Sequence, residues 1–195
     1  MKPMVVIALC ALLAVSFFVD PFVVQLAEAA KNPVLDYIMP WFSHLNTIVL
    51  VMVVMTSLFL YEEKKKKFIV PLILSFFLSI FLTLMLKQVF ARDRLTDVIY
   101  DFQAIGISLK IIDYSFPSTH AAMVFSIIPI LEDEFRKIKY FWLFFAIMVC
   151  LSRIYLNMHY LSDIIAGVLI GHIIGHFALH HEAKHGLSKR VLHRL

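Results

Sequence analysis

The sequence is short of charge. Asp, Glu, Lys and Arg make up 16% of its 195 residues, against about a quarter in an ordinary soluble domain. Hydrophobic residues reach 61%, and they sit in blocks, the arrangement of a chain whose solvent is lipid. A water-soluble globule is excluded. Cysteine is nearly absent too. Cys10 and Cys150 both fall inside apolar stretches, which excludes a disulfide scaffold and says nothing of redox compartment. Internal repeats and low-complexity linkers are lacking, so residues 1–195 read as a single domain. The formal net charge of +4 does not point to nucleic acid, because the basic residues cluster between apolar blocks instead of spreading over a groove-like surface.

What is present is a set of six apolar segments, at about 4–19, 44–61, 68–90, 118–131, 140–157 and 161–181. They predict an all-α fold, a polytopic membrane bundle of six transmembrane helices. Several are shorter than the roughly 20 residues of an ideal span, and the fourth requires its helix to extend into Glu132–Phe135. The run after Lys2, followed by small residues at Ala27–Ala30, has some features of a secretory signal. Its length and the intervening Asp20-Pro21 favour a retained first helix. The stretch 20–43 carries Tyr37, Trp41 and three prolines, and reads as an extracytoplasmic segment at the headgroup level after helix one.

Lys and Arg placement sets the orientation. With the N-terminus inside, 12 of the 18 basic residues fall on the inner side, among them Lys64–Lys67, Arg136, Lys137 and Lys139. The positive-inside rule then puts both termini in the cytoplasm of a multi-pass cell-membrane protein. The tail from 182 to 195 is basic, with Leu187, Val191 and Leu195 four apart. It reads either as an interfacial helix on anionic lipid or as a solvated tail. Gly167, Gly171 and Gly175, also four apart, form a groove for close helix approach, within the chain or between two copies; the oligomeric state is not fixed by it.

Three outer-side clusters carry ionisable groups at membrane depth, where they are costly. The first is Lys87-Gln-Val-Phe-Ala-Arg-Asp-Arg94. Lys87 and Arg94 share one face if the helix continues, about 10 Å apart along it; alone, they also fit snorkelling anchors. The second is Pro117-Ser118-Thr119-His120, a helix-start pattern whose free N–H groups favour an anion. Ser118 fits a plain N-cap equally well. The third runs from Ser152-Arg153 to His159 and Asp163. His159 and Asp163 are at i,i+4, within hydrogen-bonding range on a helix. A carboxylate on one ring nitrogen fixes the tautomer and leaves the other nitrogen free to attack. Asp163 also suits a helix start with no further role. By helix count, all three clusters emerge on one side of the membrane.

Together these clusters resemble the type-2 phosphatidic acid phosphatase superfamily, which includes bacterial lipid phosphatases and vanadium haloperoxidases. The family's motifs are a Lys followed after six residues by Arg-Pro, a Pro-Ser-X-His element, and Ser-Arg-five-His-three-Asp. The last two are complete here, within 117–120 and 152–163; in the first, Leu95 replaces the proline, and Thr119 stands where glycine is often seen. The resemblance implies a lipid phosphatase acting on a polyprenyl diphosphate, phosphatidylglycerophosphate or phosphatidate type of substrate. It implies His159 as nucleophile, Asp163 as its orienting partner and His120 as acid. Lys87, Arg94, Ser118, Thr119 and Arg153 would hold the phosphate, with no metal or other cofactor. A lipid-linked phosphotransferase is the nearest alternative; a channel or transporter fits less well, because the charges gather at one surface. His172, His176 and His180 recur every four residues, which suits a metal row or, away from the three motifs, packing and interfacial histidines.

Overall fold

The computed structural model describes residues 3–61, 63–96, 99–104, 107–132, 136–186 and 188. Its order is α1 (Pro3–Ala29), α2 (Pro33–Ser43), α3 (Leu45–Tyr61), a 3₁₀ segment Glu63–Phe68, α4 (Ile69–Phe90), a β-hairpin, α5 (Thr119–Ser126), α6 (Ile128–Leu131), α7 (Arg136–Tyr155) and α8 (Leu161–His185). Among the described residues, four stretches are long and apolar enough to cross a membrane: Ala11–Ala29, Lys66–Phe90, Ile138–Tyr155 and Leu161–His185. A fifth span is reached only by joining α2 to α3 through their 56° bend, and Thr119–Leu131 is a shorter apolar helix. The protein is a multi-pass helical membrane bundle.

Two boundaries differ from the sequence reading. Helix α1 runs past Asp20 and Pro21 to Ala29, because Asp20 does not face water; it is 3% exposed and bonded to α8. The stretch 33–43 is helical, with Asn32 capping α2 by accepting from the N–H groups of Val34 and Leu35. A further element was not foreseen. Strands β1 (Ile99–Ala104) and β2 (Ile107–Ile112) pair antiparallel, Ile99 opposite Ile112 and Ala104 opposite Ile107. Both are rich in β-branched or aromatic residues, which suit a pleated backbone. Of the basic tail expected over 182–195, the residues to His185 belong to α8 and Gly186 caps it, while 187 and 189–195 lie outside the described residues.

Helix α8 is the hub, packing against α5, α4, α1 and α6. Lipid tails are as apolar as leucine, so this packing rests on close van der Waals fit. The glycine row supplies it. A methyl group at Gly167 would stand 2.5 Å from the Ser118 carbonyl oxygen. At Gly171 and Gly175 it would run into the carbonyls of Ala122 and Ser126. The groove thus receives α5 of the same chain. On the other side of α5, Met123, Val124 and Ile127 meet Leu72, Phe76, Trp142, Phe145 and Val149 in the main core. Trp142 is fully buried and satisfies its indole N–H on the Val124 carbonyl at 2.7 Å. Outer faces present Phe18, Phe77, Phe81 and Phe144, as lipid-facing surfaces should.

Gly171→Ala is expected to destabilise the protein by about 2 kcal/mol or more, since the added carbon overpacks against backbone that has no rotamer to yield. Thermal unfolding in detergent measures it; an unchanged midpoint contradicts the close packing of α5 on α8.

Candidate active site

Three loops meet at one end of the bundle. Helix α4 stops at Phe90, where Ala91 takes a left-handed conformation (φ 45°) and its N–H bonds the Lys87 carbonyl. Arg94 is therefore not two helical turns along from Lys87, as a continued helix would place it. The chain folds back instead, and the two side chains converge from different elements. The Ser115 N–H donates to the Arg92 carbonyl at 2.7 Å, and Thr96 donates to the Asn157 carbonyl at 3.0 Å. The loops after α4, before α5 and between α7 and α8 are thereby stitched together.

A cavity of about 270 Å³ opens there, lined by Lys87, Arg94, Thr119, His120, Arg153 and His159, with Asp113, Gln88 and apolar Leu45, Ile80, Leu84 and Met123. Six of the eight residues singled out in the sequence thus share one wall. Ser118 and Asp163 are fully buried and stand behind it. Ser118 is the N-cap of α5, its hydroxyl accepting from the Ala121 N–H at 3.4 Å, and its own N–H donates to the Asp163 carbonyl at 3.0 Å. Thr119 hydrogen-bonds Thr83 on α4 at 3.0 Å.

His159 is 2% exposed, and its Nδ1 lies 3.3 Å from Asp163 Oδ2. The same oxygen accepts from the Tyr160 N–H at 2.9 Å. Asp163 is therefore at once a helix-terminal cap and the partner of the histidine. With Nδ1–H directed at the carboxylate, the Nε2 lone pair is left unprotonated. Burial, then the charges of Arg153, Arg94 and Lys87, hold the imidazole well below its ordinary pKa, so the ring stays neutral at pH 7.

Each cation has a built seat. Lys87 is 3% exposed; its ammonium donates to Asp113 Oδ1 at 2.9 Å and to the Tyr114 carbonyl. Arg94 donates through Nε to the Asp113 carbonyl at 2.6 Å, through Nη1 to the Met158 carbonyl at 2.8 Å, and through Nη2 to Asp113 Oδ2 at 2.5 Å. Arg153, 7% exposed, donates to the Ser43 hydroxyl at the end of α2.

A second charge network lies behind the wall. Arg92 donates to Asp163 Oδ1 at 2.8 Å, to Ser162 Oγ at 2.6 Å and to Asp20 Oδ2 at 2.8 Å, and lies 3.9 Å above the Tyr160 ring. Asp20 also accepts from the Ser162 N–H at 2.9 Å and its hydroxyl at 2.5 Å. Asp113, Arg92, Asp20, Ser162 and Ser43 were missed in the sequence. One signal was available: Ser75, Ser79, Thr83 and Lys87 recur every four residues on α4, and all are buried. The histidine row lies apart from this cavity. His172 and His176 face each other with Nε2 atoms 3.2 Å apart, and no group of three His, Cys, Asp or Glu among the described residues is placed to hold a metal.

Residues 68–186, more than half of the chain, match the PAP2 superfamily. The chain belongs to that superfamily. Two solved structures share the fold. Aquifex aeolicus LpxE is 24% identical with a TM-score of 0.62, covering 83% of this chain and 95% of its own. The first transmembrane PAP2-type phosphatidylglycerolphosphate phosphatase from Bacillus subtilis is 17% identical with a TM-score of 0.63, covering 92% and 96%. A search of curated proteins finds no match. For this PAP2 protein the resemblance of the motifs and the match along the chain agree.

Asp20→Ala is expected to cost about 3 kcal/mol of stability, the scale for removing one partner of a buried ionic group and leaving its donors unanswered. Chemical or thermal unfolding in detergent reads it, and a loss below about 0.5 kcal/mol, the scale of an ordinary surface change, contradicts the buried network.

Proposed function

We propose that the protein is an integral membrane lipid phosphatase that hydrolyses a lipid phosphomonoester or diphosphate through a phosphohistidine at His159. The observation that carries this reading is a neutral, buried histidine held on Asp163 in a cavity whose wall bears three cations. Phosphoryl transfer needs little covalent chemistry from a protein beyond alignment and charge stabilisation. Lys87, Arg94 and Arg153, with Thr119 at the N-terminus of α5, bind the phosphate oxygens; Ser118 fixes that helix end. His159 Nε2 attacks phosphorus as the P–O bond to the lipid breaks. With the negative charge of the phosphate bound beside it, His120 carries a proton, which it gives to the leaving oxygen, releasing a lipid alcohol from a monoester or a lipid phosphate from a diphosphate. Water then attacks the phosphohistidine with His120 as base, and inorganic phosphate leaves. The cations carry the charge that a metal carries in other phosphatases.

The surroundings of the wall support a lipid as the substrate class. The phosphate-binding wall continues into Leu45, Ile80, Leu84 and Met123, an apolar flank suited to the first carbons of a lipid. One fold neighbour is described as a phosphatidylglycerolphosphate phosphatase, and that lipid type, a phosphatidate or a polyprenyl diphosphate fits the flank. We place the cavity at the extracytoplasmic face and both termini in the cytoplasm, the whole chain acting as one domain. The Ser188 hydroxyl donates to the Lys67 carbonyl at 2.8 Å, which sets the segment before α4 beside the end of α8; with Lys64–Lys67 on the inner side, the positive-inside rule supports this orientation.

Replacing His159 with alanine is expected to lower phosphate release by about 10⁴-fold or more, the scale of losing a nucleophile, with the protein still folded in detergent. Release from a panel of lipid phosphates and diphosphates measures it; retained activity removes His159 as nucleophile. Vanadate should inhibit and a chelator should not; loss of activity with the chelator would point to a metal instead.

The pH dependence has a definite sign. A histidine pKa lowered in the folded protein leaves the ring deprotonated, and attack-competent, down through the ordinary histidine range near 6.5. The acid limb of kcat/KM due to the nucleophile therefore falls well below pH 6.5. A nucleophile limb at or above that value, after correction for substrate ionisation, contradicts the assignment.

A further inference from the structure

The phosphate wall already holds an anion of its own. Asp113 spans Lys87 and Arg94 with its two carboxylate oxygens, at 2.9 and 2.5 Å. Nothing in the proposed chemistry uses it. It sits directly after β2, on the rim of the cavity.

The other bonds of the two cations show which contact can be exchanged. If the Asp113 carboxylate swings away, Arg94 keeps the Asp113 main-chain carbonyl and the Met158 carbonyl, and Lys87 keeps the Tyr114 carbonyl. Both cations are then still seated by backbone. The carboxylate is also the most accessible of the three groups, 20% exposed where the Lys87 and Arg94 side chains are each 3%. A group that seats nothing irreplaceable and has a path to solvent is built to move.

Resting on the phosphatase reading, we propose that Asp113 is a built-in competitor for the phosphate-binding wall that keeps singly charged phosphate groups from filling it while doubly charged ones still bind. Its carboxylate and the substrate's phosphate occupy Lys87 and Arg94 by turns. Exchanging a carboxylate for a phosphomonoester or terminal diphosphate group replaces one negative charge by about two, a Coulombic gain beside two cations. Exchanging it for a phosphodiester replaces one charge by one and gains nothing. Phosphodiester lipids surround the site in any membrane, so a wall of three cations without a competitor would fill with headgroups that the chemistry cannot use. The competitor weakens both kinds of ligand by the same factor, so the singly charged headgroup, the weaker of the two beside the cations, falls below the level at which it occupies the wall.

The test uses the full chain in detergent micelles, with vanadate as a phosphate mimic and a phosphodiester lipid, phosphatidylglycerol, as the competing headgroup. Asp113→Asn should bind vanadate about tenfold more tightly, as removing a competing state that occupies nine-tenths of the population would do. Phosphate release by that variant should also become sensitive to phosphatidylglycerol at micellar fractions that leave the parent protein unaffected. Asp113→Ser, which keeps no carboxamide to lie between the cations, should behave alike. Vanadate binding that is unchanged or weaker in both variants would overturn the inference and make Asp113 a fixed clamp. So would loss of the fold in both, because an exchangeable carboxylate cannot be essential to folding. Parent protein that neither binds vanadate nor releases phosphate would overturn the phosphatase reading itself. Active parent protein without tightening in the variants would overturn only the role of Asp113.

Discussion

The contact on which the site depends is backbone against backbone, where α5 lies in the glycine groove of α8. No side chain separates the two helices at Gly167, Gly171 or Gly175. That closeness lets the Ser118 N–H reach the Asp163 carbonyl at 3.0 Å, so the start of α5 and the first turn of α8 are one unit. His120 rides on the former and His159 sits just before the latter. The two histidines that the proposed chemistry sets around one phosphoryl group are thus carried by elements packed backbone to backbone, as close positioning demands.

Around that unit, charge is managed in two layers. The inner layer faces the cavity, where Lys87, Arg94 and Arg153 are seated on carbonyls, a serine hydroxyl and Asp113. The outer layer is Asp20, Arg92 and Asp163, which links α1, the loop after α4 and α8. Burying an ion without partners is prohibitive, and each carboxylate here answers more than one donor. The two layers meet at Asp163, whose Oδ1 belongs to Arg92 and whose Oδ2 faces His159. The histidine's tautomer is held by a carboxylate that is itself held on its far side.

Much of this was legible in the sequence, and the failures have physical causes. The spacing of His159 and Asp163 and the order of the clusters located six cavity-lining residues, because helix periodicity and membrane topology act locally and are written locally. The helix count was less secure. Thr119–Leu131 is short and α2–α3 is bent, and hydrophobic runs do not record bends. The convergence of Lys87 with Arg94 was reached for the wrong reason, since the left-handed turn at Ala91 has no glycine or asparagine to announce it. Asp20, Asp113 and Ser43 were invisible as site residues because their partners lie far away in sequence, at Ser162, at Lys87 and at Arg153. Only the polar stripe Ser75-Ser79-Thr83-Lys87 could have pointed inward, three small hydroxyls and a lysine on a helix whose other residues, Gln88 apart, are apolar.

The bond between Asp20 and Ser162 has a consequence for how the molecule divides. The stretch that carries the family's signature begins at residue 68, yet a carboxylate near the middle of α1 completes the shell around Asp163. The signature region is therefore not a self-sufficient module. The first helix acts as a remote brace, and a piece cut at the signature's edge would keep every residue of the proposed chemistry while losing the Asp20 carboxylate that holds Arg92 and Ser162 beside Asp163.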